Sequence, residues 1–190
     1  MPEDQTCRVR ELADAAQRGD EDAFGELVGL FSARLCAFFR MIGVPASEAE
    51  DLAQETFIKA HRGLCRYDAR YAFSTWLFTI GRRLAISRAR GARPATVPIE
   101  DPGALEDPAG RSSGDEDAAD RIWEQAAAIL PTRQHEALWL RYGEEKSLAE
   151  VASIMGISGL NARVLLHRAR TRLAQALRQA KRRGNDPESV

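Results

Sequence analysis

The chain has 190 residues, 44% of them hydrophobic and 29% charged, with a formal net charge of −1, a composition that suits one ordinary soluble domain or two small ones. No apolar run approaches the ~20 residues that cross a bilayer, and the charged N-terminus lacks a signal-peptide core, so no membrane insertion and a cytoplasmic address are expected. Cys7, Cys36 and Cys65 are odd in number and widely spaced, which argues against a disulfide framework or a zinc site and leaves only Cys7 as a thiol expected to be available for redox chemistry.

Taken in chain order, the elements are helical throughout. Val9, Leu12, Ala13 and Ala16 mark a short amphipathic helix that Gly19 ends. Asp20 is placed to cap a longer one through Phe24, Leu27, Val28, Phe31, Leu35, Phe38 and Ile42, stopped by Gly43. Ser47 followed by Glu50 reads as a capping box opening a helix to about Arg62. Residues 64–72 lack periodicity and read as a turn. Phe73 or Ser74 then opens a helix with the core stripe Leu77, Ile80 and Leu84.

From Gly91 to Asp120 four prolines join glycines, serines and acids, a tether composition too long for a loop inside one domain. Ile122, Ala126, Ile129 and Leu130 mark the next helix, ended by Pro131, and another spans Thr132 to Tyr142. Ser147 and Glu150 form a second capping box, opening a short helix to Met155. Gly156 and Ile157 make the turn, and Ser158 caps a last helix with Ala162, Leu166, Ala169, Leu173 and Ala176 on its inner side. No segment alternates like a strand. The expected fold is all-α, with domains at 1–91 and 121–183 joined by a flexible acidic linker at 92–120.

The near-zero net charge hides segregation. Residues 81–93 carry five arginines and no acid, residues 99–120 carry eight acids against Arg111, and residues 151–185 carry seven arginines plus Lys181 with no acid. Two basic faces separated by an acidic tether point to a polyanion held at two places. At the second, a short helix, a GIS turn and a basic helix make the pattern of a helix-turn-helix. Gly159, Leu160, Asn161 and Arg163 would face base edges, with Ser158 at the cap beside them and His167, Arg168 and Arg170 within reach of phosphates.

In the N-terminal half, Asp51, Gln54, Glu55 and Ile58 share one helix face, a carboxylate–amide stripe suited to docking on a basic partner helix. Next comes YDARYAFSTW, with Tyr67, Tyr71, Phe73 and Trp76 beside Arg66, Asp68, Arg70, Ser74 and Thr75. Aromatics among basic and hydroxyl groups make stacking platforms for unpaired bases. Arg82, Arg83, Arg88 and Arg90 follow as phosphate contacts.

DLAQETFIKAHRGL…YDARYAFSTWLFTIGRRLAISRAR resembles conserved region two of bacterial sigma factors, and LPTRQHEALWLRYGEEKSLAEVASIMGIS…VLLHRARTRLAQAL resembles region four. Without a substantial domain between them, the chain is similar to the extracytoplasmic-function (ECF) group. The resemblance implies a non-enzymatic subunit of RNA polymerase that directs promoter-specific initiation, without cofactor or metal. Asp51, Gln54, Glu55, Ile58 and His61 would meet the clamp of the largest core subunit. Arg66, Asp68, Arg70, Tyr71, Phe73, Ser74, Thr75, Trp76, Arg82, Arg83 and Arg88 would serve the −10 element, and the helix from Gly159 the −35 element. The second domain would also touch the polymerase flap, and an anti-sigma factor would silence the whole. Arg83 and Ser87 depart from the Asn and Asp that ECF proteins often carry there. Asn161–Leu165 replaces a more polar run, which shifts −35 reading toward Arg163 and DNA shape.

A stand-alone helix-turn-helix regulator would need tight duplex binding and dimerisation. A protein-binding adaptor would leave the aromatic loop without purpose. An enzyme would need a nucleophile–base or metal spacing, and His61, His135 and His167 lie on separate elements.

Overall fold

The computed structural model describes residues 3–91 and 116–184, and within them the chain is helical without a strand. The first half comprises α1 (Glu3–Gln17), α2 (Glu21–Met41), α3 (Ala46–Gly63), a 3-10 turn (Leu64–Arg66) and α4 (Phe73–Gly91). Asp20 begins α2 by accepting the Ala23 N–H at 2.9 Å, and Glu21 and Asp22 place negative charge at the positive end of the helix. Leu27, Phe31, Leu35, Phe38 and Phe39 of α2 are fully buried, because their spacing keeps them on one side of a 3.6-residue repeat.

The expected capping box at Ser47 and Glu50 is not formed. α3 begins two residues earlier, where the Pro45 carbonyl accepts from Glu48 N–H at 2.9 Å and Ala49 N–H at 3.0 Å. Ser47 is thereby inside the first turn, where its hydroxyl no longer precedes the orphan amides it would cap. α4 crosses α2 closely at Gly81: a Cβ there would lie 2.9 Å from Phe39 Cζ and 3.3 Å from Leu35 Cδ2. The missing side chain is what lets the two helices touch.

The second half comprises α5 (Glu116–Ile129), α6 (Thr132–Tyr142), α7 (Leu148–Met155) and α8 (Gly159–Gly184). Residues 92–115 of the expected tether lie outside the described residues. Glu116–Asp120, assigned to that tether by composition, instead belong to α5, since acids are welcome in a helix's first turn. The Ser147–Glu150 capping box forms in both directions, at 3.3 Å and 2.9 Å. Gly156 ends α7 at φ 64°, a left-handed conformation suited to glycine. The chain then turns through 103° into α8, within the range of a helix-turn-helix.

The two halves are packed together. Leu140, Val151, Ile154, Met155, Ala162 and Leu166 share one continuous apolar core with α1–α4, while Ala126, Leu130, Leu138 and Ala169 form a small core of their own. Trp139 of α6 lies against Phe38 at 5.7 Å and Phe78 at 6.2 Å between ring centroids. Among the described residues no single helix is long and apolar enough to cross a membrane.

Candidate nucleic-acid interface

The α3 face is open. Burial of Leu52, Ala53, Thr56, Phe57 and Ala60 turns Asp51, Gln54, Ile58 and His61 outward, with Ile58 51% exposed. His61 also rests edge-on against Phe24, with ring centroids 4.9 Å apart. Glu55 is half-buried and already engaged, by Lys59 at 3.3 Å and by Arg88 at 3.1 Å. Arg88, expected on phosphate, therefore spans from α4 to α3 and also approaches Glu48 at 4.0 Å.

The aromatic loop is organised from beneath. Tyr67 is buried, its hydroxyl donates to the Tyr71 carbonyl at 2.6 Å, and burial pushes the phenol up to about 12. Gln17, which carried no signal in the sequence reading, donates to the carbonyls of Leu64 and Tyr67 at 2.8 and 2.7 Å and ties the loop to α1. Asp68 accepts from the Arg70 backbone at 3.0 Å and from its Nε at 2.8 Å, and these hydrogen bonds hold its carboxyl below the usual range.

The four aromatics do not form one exposed platform. Phe73 is 1% exposed and clusters with Tyr67 at 5.6 Å, Trp76 at 5.7 Å and Phe31 at 5.7 Å, whereas Tyr71 is 64% exposed. Phe73 is a core residue because it opens α4 directly over α2. Trp76 is half-buried, and the exposed part of the loop includes Arg66, Arg70, Tyr71 and Ala72, with Asp68 half-covered.

Ser74 and Thr75 are also buried, and Arg82 is largely so, all beneath the C-terminal half. Lys146 Nζ donates to Ser74 Oγ at 2.5 Å, and Thr75 Oγ1 donates to Glu150 Oε1 at 2.6 Å. Arg82 Nε donates to Glu136 Oε1 at 2.5 Å, and Arg34 pairs with Glu144. Burial pulls the Lys146 ammonium below its ordinary 10.5 against the opposing charges of Glu150 and Glu144. Burial alone would push Glu150 up, but hydrogen bonds from Thr75 and Ser147 and the Lys146 charge hold it below its ordinary 4.5. Beside these contacts lies a cavity of about 410 Å³ bounded by Arg10, Phe31, Tyr67, Tyr71, Glu145 and Lys146. Arg83, by contrast, is exposed.

The remaining surface is α8. Ala162, Leu166 and Ala169 are buried at steps of four and three, which turns Ser158, Gly159, Asn161, Arg163, His167, Arg168 and Arg170 to solvent. Ser158 Oγ accepts the Asn161 N–H at 3.2 Å, the cap expected of it. Leu160 and Val164 are exposed at 69% and 38% on the same stretch, an apolar pair able to meet thymine methyls. Cys65 as well as Cys7 is exposed, so Cys7 is not alone in being accessible: the 3-10 turn presents Cys65 outward. Among the described residues no cluster of ligating side chains could hold a metal ion.

An acidic helix face, an aromatic loop backed by arginines and a basic helix-turn-helix define a DNA-reading protein that also docks on another protein. The matching families say which. Residues 27–94 match sigma-70 region 2 and residues 120–173 match sigma-70 region 4. The ECF RNA polymerase sigma factor SigF of Caulobacter vibrioides is 33% identical over 180 residues, covering 93% of this chain and 98% of that protein. The structure of CnrH in complex with the cytosolic domain of CnrY is similar with a TM-score of 0.65 and 26% identity, over 90% of this chain and 98% of that one. RpoE, in complex with the anti-sigma factor NepR from Bartonella quintana, follows with a TM-score of 0.59 and 26% identity, over 82% and 96%. The chain belongs to the ECF family of RNA polymerase sigma factors. It is a transcription initiation factor that works with core polymerase on promoter DNA, and is not an enzyme.

Proposed function

We propose that this sigma factor divides its work between a domain at residues 1–91 and a domain running from α5 to residue 183, linked by residues 92–115. Asp51, Gln54, Glu55, Ile58 and His61 dock on the clamp of the largest polymerase subunit. Arg66, Asp68, Arg70 and Tyr71 take the −10 element, with Ser74, Thr75, Arg82, Arg83 and Arg88 along α4 and with Phe73 and Trp76 supporting the loop from below. Ser158, Gly159, Asn161, Arg163, His167, Arg168 and Arg170 read the −35 element, while the second domain also touches the flap. Its place is the cytoplasm, where its polymerase and DNA are.

The observation that carries this reading is the outward turn of α3's carboxylate–amide face and of the basic side of α8, with their apolar sides buried. Each DNA-reading domain acts weakly alone, and core polymerase supplies the effective concentration that joins them. Because the solved relative RpoE is held by an anti-sigma factor, we extend that control to this chain. The test is to add the chain to core polymerase with a promoter library and map transcript starts. Selected starts sharing two spaced elements are expected. Random starts, with tight duplex binding by the free chain, would identify a stand-alone regulator instead.

A further inference from the structure

We propose that the free chain masks the Ser74, Thr75 and Arg82 part of its −10-reading surface with its C-terminal domain, the turn between α6 and α7 acting as the stopper. This rests on the reading of residues 66–88 given above. The chemistry of the contact resembles that of the ligand it excludes. Glu136 is 3% exposed and holds Arg82, Glu144 is 7% exposed and holds Arg34, and Glu150 accepts from Thr75. Three carboxylates of one half thus occupy the cationic and hydroxyl groups of the other, as backbone phosphates would. Lys146, 5% exposed, covers Ser74 at the mouth of the cavity beside Tyr67 and Tyr71.

The turn is built to stay in place yet able to leave. Lys146 N–H donates to the Leu140 carbonyl at 2.9 Å and Arg141 donates to the Lys146 carbonyl at 3.0 Å, fixing it to α6. Glu145 sits at φ 52°, a left-handed conformation that disfavours a side chain. Buried ion pairs of this kind contribute little net stability, because desolvation offsets attraction. Release therefore becomes feasible once Arg82, Ser74 and Thr75 gain DNA as partner and the carboxylates return to water. The α3 face stays exposed in the masked state, with Asp51, Gln54 and Ile58 outward, so polymerase docking does not require prior opening.

The experiment uses the full chain, free in solution. Small-angle scattering reads compactness, and fluorescence anisotropy reads binding of a labelled degenerate single-stranded DNA oligonucleotide. Two variants on the C-terminal side open the contact by different means: Glu136→Gln with Glu144→Gln removes the ion pairs, and Trp139→Ala removes the packing on Phe38 and Phe78 without changing charge. Glu124→Gln, at an exposed position of α5, controls for lost negative charge, and circular dichroism checks helix content. A mask shut about 90% of the time lowers apparent affinity about tenfold, so both open variants should expand and bind about tenfold tighter, with Glu124→Gln unchanged. A wild-type chain already expanded, or open variants that bind no tighter, would overturn the mask. Tyr71→Ala assayed for promoter melting in holoenzyme separates the two failures. If it abolishes melting, the −10 reading stands and only the mask falls; if melting is untouched, the loop reading beneath the proposal fails as well.

Discussion

The α3 face and the α4 face belong to one helical bundle and differ in what covers them. On α3, Asp51, Gln54 and Ile58 stand exposed among the described residues. On α4, Ser74, Thr75 and Arg82 are each met by a residue from α6, α7 or their connecting turn. The difference teaches that a chain with two binding tasks need not offer both surfaces at once. On the proposed reading, the protein-docking face is offered first while Ser74, Thr75 and Arg82 of the nucleic-acid face stay covered by Lys146, Glu150 and Glu136.

The sharpest way to break that contrast is to strike the covered face. Glu136→Ala leaves Arg82 buried and unpaired, a loss of about 3–5 kcal/mol where the charge cannot escape. Here it can escape by undocking, so the single denaturation transition should separate into two, seen by tryptophan fluorescence against circular dichroism. Striking the open face should do the opposite. Asp51→Arg should leave the melting curve unchanged and weaken core polymerase binding by at least about 2 kcal/mol, the lower range for a broken interfacial charge pair, measured by competition for core enzyme.

Smaller effects test the support beneath both faces. Gly81→Ala drives a methyl into Phe39 and Leu35 and should cost about 1–3 kcal/mol of stability by overpacking, read by urea denaturation. Tyr67→Phe removes the bond to the Tyr71 carbonyl, about 0.5–1.5 kcal/mol, and should loosen the loop's amide hydrogen exchange while α3 stays unchanged. Acid should also act on the covered face. Glu150 is held below its ordinary 4.5 when docked, so its contribution is complete above that value and fades as pH falls through the lowered one. Scattering across that range should show the halves separating at the acid end, and Glu150→Gln should flatten the response.

What was legible in the sequence was local. Asp20, the Ser147–Glu150 box, Gly156 and Ser158 act within a turn of themselves, so their spacing alone announces α2, α7 and α8. The Ser47–Glu50 pair shows the limit, since it carries the same signature and Pro45 took the position first. The outward residues of α3 and α8 followed from periodicity, but Phe73 did not, because an aromatic at a helix start looks alike over a core or over a base. The masking contacts were illegible because they are long-range. Arg82 meets Glu136 across 54 residues, Thr75 meets Glu150 across 75 and Arg34 meets Glu144 across 110. Glu150 was readable as a cap and gave no hint of its second partner. Charge segregation did point to two basic faces, while the few acids that neutralise one of them were scattered through α6 and α7.

The central claim is that one chain shows its proposed polymerase face while covering the Ser74, Thr75 and Arg82 side of its proposed −10 surface, and one distance measures it. Dyes placed at the exposed Cys65 and at Arg172→Cys, with Cys7→Ser and Cys36→Ala to leave only those two thiols, report the separation of the halves by energy transfer. The account predicts a single short distance in the free chain and a long one after core polymerase and promoter DNA are added. A long distance in the free chain, or a short one that persists in a polymerase complex initiating at promoters, would contradict it.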